Sequence, residues 1–340
     1  MADNLIEILI TTPFSGPQMA MLEELSPRLH FTVQAARRAD DISNETWARS
    51  EVLYTDRILP QPAQAPRLRW IQFNYAGIDF VADLPLLHKP DLVATTLSGA
   101  AAPQMAEYAI QNMLALGHHV PELIAYQQKA EWPRDRWERF IPHELRHATV
   151  GLVGYGSINR EIARLLQPWG CTILAAKHDV MHPHDLGYVP EGLGDPDGNL
   201  FTRLYPFQAL KSMLKECDFV VVAVPLSPES KGLIGAEELA ALKPSAYLVD
   251  FSRGGVIDHP ALIQALLDHR FAGAALDVFP EEPLPPGSPL WRMPNVLITP
   301  HIGGVSGQYT ERAAAMFAAN LRRYLAGEPL YNRFELERGY

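Results

Sequence analysis

Cysteine is nearly missing from this chain: Cys171 and Cys217 are the only two in 340 residues. Their separation matches no metal or redox spacing. Cys171 opens an apolar strand and Cys217 closes a helix, so both read as reduced structural thiols. No uninterrupted apolar stretch approaches the roughly 20 residues of a membrane-spanning helix. Positive charge is also scarce, 29 Lys and Arg against 39 Asp and Glu for a net charge of −10. That balance argues against a broad nucleic-acid or acidic-membrane surface, while leaving room for a local basic pocket around a phosphorylated ligand. Met1-Ala2-Asp3-Asn4 carries no basic n-region, and Leu5–Ile10 is too short for a signal h-region. Internal repeats, coiled-coil heptads and low-complexity tracts are absent. The expectation is a cytoplasmic globular protein.

What is present is a chain long enough for two domains. Ile6–Ile10 reads as a buried strand and Met19–Leu25 as the helix after it, with further short apolar runs at Phe31–Val33, Val52–Tyr54, Trp70–Phe73 and Leu92–Thr95. Strands spaced in this way describe a small parallel α/β unit. A long helical pattern starts at Pro103 and runs to Leu116. A second series follows at Thr149, Thr172–Ala175, Phe219–Val224, Tyr247–Phe251, Ala274–Val278 and Val296–Ile298, with helical segments Pro206–Lys215, Ala236–Leu242 and Pro260–Leu267 between. Six strands with helical crossovers make a doubly wound sheet. The stretch 181–202, rich in Gly, Pro and Asp, reads as an exposed excursion, and Gln308–Leu325 as a last helix.

The most informative segment is Thr149-Val-Gly-Leu-Val-Gly-Tyr-Gly-Ser-Ile-Asn159, an apolar strand that enters a Gly-x-Gly turn and opens an amphipathic helix. Gly154 permits the sharp turn, and Gly156 lets the backbone approach a pyrophosphate. Ser157 and Ile158 begin the helix whose free amides and positive dipole end face an anion. Asn159 stands where the third glycine of the usual fingerprint would be, so this turn alone is weak evidence.

Downstream, three charged or titratable residues follow strands of the same series. They are Arg253 in Phe251-Ser252-Arg253-Gly254-Gly255, Glu282 in Asp277-Val278-Phe279-Pro280-Glu281-Glu282-Pro283, and His301 in Thr299-Pro300-His301-Ile302-Gly303-Gly304. Ligands collect at the carboxyl ends of strands in open parallel sheets. From about Trp70 to Tyr331 the chain resembles the D-isomer-specific 2-hydroxyacid dehydrogenases. Those three motifs, Asn74-Tyr75-Ala76-Gly77-Ile78-Asp79, Met105-Ala106-Glu107-Tyr108 and Val224-Pro225-Leu226-Ser227-Pro228-Glu229-Ser230 stand in family order.

The resemblance implies a Rossmann-type cofactor domain, residues 105–301, inserted into a smaller flavodoxin-like α/β substrate domain made of residues 1–104 and 302–340. It implies hydride transfer between a nicotinamide cofactor and a small 2-oxo or D-2-hydroxy acid. His301 suits proton transfer at the substrate oxygen, and Glu282 would hold its other ring nitrogen; Glu281 reads as an exposed neighbour. Arg253 offers a planar fork for the carboxylate. Asp277 would accept from the nicotinamide carboxamide. Val224, Pro225, Phe251, Ser252, His301 and Gly303 complete the expected cofactor surface. The turns holding Ala76, Gly77, Ser98 and Gly99 would bind the substrate carboxylate through backbone amides. A homodimer is expected, with Met105–Leu116 and Trp132–Phe140 as the candidate interface.

Cofactor choice turns on the end of the strand after the glycine turn. An acid there would select NAD(H); here Lys177 occupies the position, so NADP(H) is expected to be preferred and NAD(H) possible, with Asp179 the nearest acid. His178, His182 and His184 with Asp179 and Asp185 fit no zinc signature, so no metal is expected. Trp132 and Trp137 among Arg134, Arg136 and Arg139 read as a packing or interface face rather than a nucleic-acid platform. Other readings on the same scaffold are a dinucleotide-sensing protein like the C-terminal-binding-protein corepressors, and phosphite or formate oxidation. Formate oxidation is disfavoured because that branch carries Gln at the position of Glu282. No regulatory domain of the longer phosphoglycerate dehydrogenases is expected after Tyr340.

Overall fold

The computed structural model describes residues 5–81 and 84–336; Met1–Asn4, whose charge pattern is considered above, lie outside them, as does Tyr340. The chain divides into two compact units. Unit 1 holds the residues up to Ala101, Leu186–Tyr188, and those from Ser306 onward; unit 2 holds Ala102–Asp185 and Val189–Val305. Among the described residues no helix is long and apolar enough to cross a membrane.

Unit 1 is built on five parallel strands, β1 (Ile6–Ile10), β2 (Leu29–Val33), β3 (Val52–Thr55), β4 (Trp70–Phe73) and β5 (Val93–Thr95), in the order β2-β1-β3-β4-β5. That is the flavodoxin-like order. Both sheet faces are covered, so every residue of β3 and β4 is buried. The Tyr309–Ala326 helix closes one face. Its Ala313, Ala314 and Ala318 are almost fully buried, allowing close approach, and Phe317 fills the centre. The Phe317 ring lies 4.9 Å from that of Tyr54, 5.4 Å from Trp70 and 6.2 Å from Phe14. The 181–202 excursion is therefore not simply exposed: Tyr188 joins this unit, its amide donating to Asn332 Oδ1 at 3.2 Å and its ring meeting Tyr331 edge-on.

Unit 2 carries seven parallel strands, one more than the apolar pattern reveals. They are β6 (Thr149–Val153), β7 (Thr172–Ala176), β8 (Arg203–Tyr205), β9 (Phe219–Val222), β10 (Tyr247–Asp250), β11 (Gly273–Leu276) and β12 (Val296–Ile298). Their order is β12-β11-β10-β9-β6-β7-β8, so the sheet reverses direction of growth at β6. β8 escapes sequence reading because its three residues, Arg-Leu-Tyr, form an edge with one exposed charge. β9, β10 and β11 stop short of their apolar runs. Val224, Phe251 and Val278 are buried, but they lie in the loops leaving the sheet. Cys217 packs where a Cβ on Gly151 would lie 2.4 Å from its Sγ, and burial pushes this thiol up to about 12. Both cysteines are free.

Truncating the central aromatic of unit 1 tests this packing. Phe317→Ala is expected to destabilise unit 1 by about 3–5 kcal/mol, from lost burial plus a cavity three rings surround. Chemical denaturation followed by aromatic circular dichroism measures it; a change below about 1 kcal/mol would show that the helix is not anchored through this ring.

Candidate active site

All seven strands of unit 2 are parallel, so every carboxyl end lies on one edge. The loops leaving them carry, in spatial order, His301 after β12, Asp277 and Glu282 after β11, Arg253 after β10, Val224 and Pro225 after β9, Gly154 and Gly156 after β6, and Lys177 after β7. At ~4.8 Å per strand this row is ~24 Å long.

Its centre is the reversal between β6 and β9. Gly154 has φ +86°, and a Cβ there would lie 2.5 Å from Val224 Cγ1 and 2.7 Å from Ala223 O, so only glycine fits. Gly156 is the opposite case: a Cβ would meet nothing within 4 Å. It caps the Ser157–Leu166 helix with no side-chain hydrogen bond, leaving the first-turn amides of Ser157 and Ile158 to an outside acceptor. Asn159 is fully buried and its Nδ2 donates to the carbonyls of Val153 and Gly154 at 3.1 and 2.6 Å. It braces the turn in place of the missing glycine. An open glycine before an uncapped helix fits a dinucleotide pyrophosphate.

His301 and Glu282 are brought together. Glu282 Oε2 lies 2.8 Å from His301 Nδ1, while Oε1 accepts the Phe279 amide at 2.9 Å. Both side chains are partly exposed. The Arg253 loop is pressed against the same segment, since a Cβ on Gly254 would lie 2.0 Å from Phe279 O. Arg253 donates from Nη1 to Ser252 O at 2.9 Å. On the other side Ser230 Oγ donates to Pro225 O at 2.6 Å, closing the turn after β9.

Asp277 holds a place that sequence reasoning did not foresee. Its Oδ1 accepts from Thr299 Oγ1 at 2.5 Å and from the Ile302 amide at 2.9 Å; Oδ2 accepts from the Gly303 amide at 2.9 Å. Its own carbonyl accepts the His301 amide at 2.9 Å. These bonds hold His301 at φ +54°, a left-handed conformation that costs a non-glycine residue. Thr299 spends its one proton on Asp277, so the Tyr108 hydroxyl, which meets Thr299 Oγ1, is the donor there. Burial pushes Tyr108 up to about 12, keeping it a neutral donor. Tyr108 falls within a quoted motif and Thr299 beside His301, but nothing in sequence spacing shows that they meet.

In unit 1, the turns after β4 and β5 that hold Ala76, Gly77, Ser98 and Gly99 lie side by side: Leu97 donates its amide to Tyr75 O at 2.9 Å, and Gly99 has φ +100°. Asn332 Nδ2 donates to Ser98 O at 2.9 Å. The histidine-rich stretch pairs off: His182 with Asp179 at 2.7 Å, and His178 with Glu229 at 3.4 Å. Among the described residues no group of three or more ligand-type side chains converges on a metal position.

Residues 110–303 match the family described as D-isomer specific 2-hydroxyacid dehydrogenase, NAD binding domain. The glyoxylate reductase of Thermofilum pendens is 33% identical over 278 residues, 81% of this chain and 78% of that protein. The (S)-sulfolactate dehydrogenase of Chromohalobacter salexigens is 34% identical over 267 residues, 77% and 79% of the two chains. Among solved structures, a D-isomer specific 2-hydroxyacid dehydrogenase from Xanthobacter autotrophicus Py2, in complex with NADPH and MES, superposes with a TM-score of 0.79 at 28% identity, covering 99% of this chain and 100% of that one. The chain belongs to the D-isomer specific 2-hydroxyacid dehydrogenase family. It is an NAD(P)-dependent oxidoreductase of 2-oxo and 2-hydroxy acids.

One buried acid beside the site gives a pH signature. Asp250, at the end of β10, is 4% exposed; burial raises its carboxyl from 3.8 to about 6 although Ser252 donates to it through both N and Oγ. Because the folded value is the higher one, its contribution to stability is full below about pH 4 and is lost as the pH rises through about 6. Asp250→Asn is therefore expected to raise stability at pH 8 by about 2–3 kcal/mol relative to wild type, and by little at pH 4. Denaturation midpoints across that range check it; an equal effect at both ends would refute the buried-carboxyl account.

Proposed function

We propose that this protein reduces a small 2-oxo acid to the 2-hydroxy acid, preferring NADPH. The observation that carries the reading is the His301–Glu282 pair, held on strand-end loops of the same sheet edge that presents the open helix terminus. When bound, the nicotinamide supplies the hydride. His301 keeps Nδ1 on Glu282, which leaves Nε2 to give a proton to the substrate oxygen during reduction and to take it back in oxidation. Arg253 pairs its guanidinium with the substrate carboxylate and polarises the adjacent carbonyl. Asp277, already accepting three protein donors, keeps one lone pair on Oδ2 for the carboxamide of the cofactor. Val224, Pro225, Phe251, Ser252 and Gly303 line the cofactor's path, and the paired turns at Ala76-Gly77 and Ser98-Gly99 bind a carboxylate through their amides.

Cofactor preference rests on Lys177. No acid stands at its position, and Asp179 is engaged within its own turn, accepting from Met181 N and His182 Nδ1. Burial and the nearby Arg160 lower the Lys177 ammonium from its ordinary value, which an incoming phosphate would offset. The protein is assigned to the cytoplasm and to a homodimer. The Met105–Leu116 helix spends its buried face within unit 2, so the exposed Trp132, Trp137 and Ile141 are the better candidates for the dimer contact.

Kinetics on a panel of 2-oxo acids test the assignment. His301→Ala is expected to lower kcat chiefly, and Arg253→Ala to lower kcat/KM by about two to three orders of magnitude, largely through KM. Near-normal turnover in His301→Ala would refute the proton role. Wild type is expected to favour NADPH by about ten- to hundredfold in kcat/KM, and Lys177→Asp to narrow or reverse this. Wild-type values favouring NADH would refute it.

A further inference from the structure

Arg160 is a buried cation with no part in the chemistry above. It follows Asn159 in the Ser157–Leu166 helix and is 1% exposed. Taking a guanidinium out of water is costly unless its donors are matched, so what it holds is informative. It holds the backbone of the 181–202 segment. Nη1 donates to Asp195 O at 2.5 Å, Nη2 donates to Pro183 O, and Nε lies 3.5 Å from the Asp185 carboxylate. The Tyr155 ring lies 4.7 Å from the guanidinium carbon, and the Tyr155 hydroxyl donates to Asp195 Oδ2 at 2.7 Å. Asp195, itself 2% exposed, accepts the amides of Asn199 and Leu200. Gly194 donates its amide to Glu161, the next residue of the helix, at 2.7 Å.

This clasp ends beside Lys177. Lys177 Nζ donates to His182 O at 2.7 Å, and the very next carbonyl, Pro183 O, is the one Arg160 takes. Pro183 is wedged from the other side as well, since a Cβ on Gly198 would lie 2.2 Å from its oxygen. One of the three ammonium protons is therefore given to a carbonyl whose neighbour in the chain, Pro183 O, is held by Arg160. A lysine on a four-carbon stem loses rotamer freedom when it engages a ligand, and fixing its anchor in advance removes part of that loss.

We propose that Arg160, together with Asp195 and Tyr155, is a positioning element for cofactor choice, holding the His182–Pro183 backbone so that the Lys177 ammonium is presented to the 2′-phosphate of NADP(H). The inference rests on the assignment of Lys177 to that phosphate. It explains why a helix beginning at the pyrophosphate end of the site carries a buried arginine one turn in. It also gives the 181–202 segment a task.

Isothermal titration with adenosine 2′,5′-bisphosphate and with adenosine 5′-monophosphate separates the two assignments. Wild type is expected to bind the bisphosphate about tenfold more tightly or better, and Lys177→Ala to abolish that ratio. Arg160→Lys and Asp195→Asn should each cut the ratio by about three- to tenfold while leaving monophosphate affinity within about twofold; combined with Lys177→Ala they should add nothing. Tyr155→Phe, which keeps the ring and removes only the hydroxyl, decides the matter if Arg160→Lys does not fold. A ratio unmoved in Lys177→Ala overturns the lysine assignment and this inference with it. A ratio lost in Lys177→Ala but kept in all three clasp variants, or additive losses in the double variants, overturns the clasp alone.

Discussion

Parallel strands cannot be joined by hairpins, and from that constraint the rest of unit 2 follows. Each strand must return through a crossover, so all carboxyl ends share one edge and all the loops there are free to carry chemistry. The reversal at β6 parts two of those loops and leaves a notch that Gly154 fills against Ala223 and Val224. Residues more than a hundred positions apart, Gly156 and His301 among them, then lie in one row with spacing set by backbone hydrogen bonding. The side chains need only short reach. The scaffold does most of the placing.

Two carboxyl groups one strand apart show how differently that edge treats like groups. Asp277 is met by a hydroxyl and two amides and serves as the fixed acceptor around which the His301 loop folds. Asp250, almost as buried, accepts from Ser252 alone among the described residues and lies close enough to Asp277 to feel its charge. Burial pushes the second toward the protonated form.

The fold was largely legible because its signals are local. Alternation between short apolar runs and helical segments marks eleven of the twelve strands among the described residues, and the turn at Gly154 announces itself through glycine. β8 was hidden because an edge strand of three residues needs little apolar character. The chain ends of β9, β10 and β11 were read too long because a buried apolar residue looks the same whether a strand or a loop covers it. The charged residues of the candidate site stand out in the sequence through their motifs, and the contact of Glu282 with His301 is anticipated there as a pairing. Asp277 as a tether, Thr299 as the link between Tyr108 and Asp277, and Arg160 as a clasp are not. Each acts through partners tens of residues or more away, several of them backbone atoms that every residue carries, and sequence records no such address. The excursion misled for a related reason: its composition is polar, yet Asp195 is buried and Tyr188 packs with unit 1.

The insertion of one unit within the other has a consequence for the order in which the chain matures. Phe317, at the heart of unit 1, reaches the ribosome exit only after unit 2 has been made. Sheet strands β1–β5 would wait for it while roughly 200 further residues are added, on the order of 10–40 s at ordinary elongation rates. Unit 2, nearly contiguous, can bury its own apolar strands meanwhile. The first-made sheet is thus the last to be sealed, and through that interval its aromatic face waits for the ring that covers it.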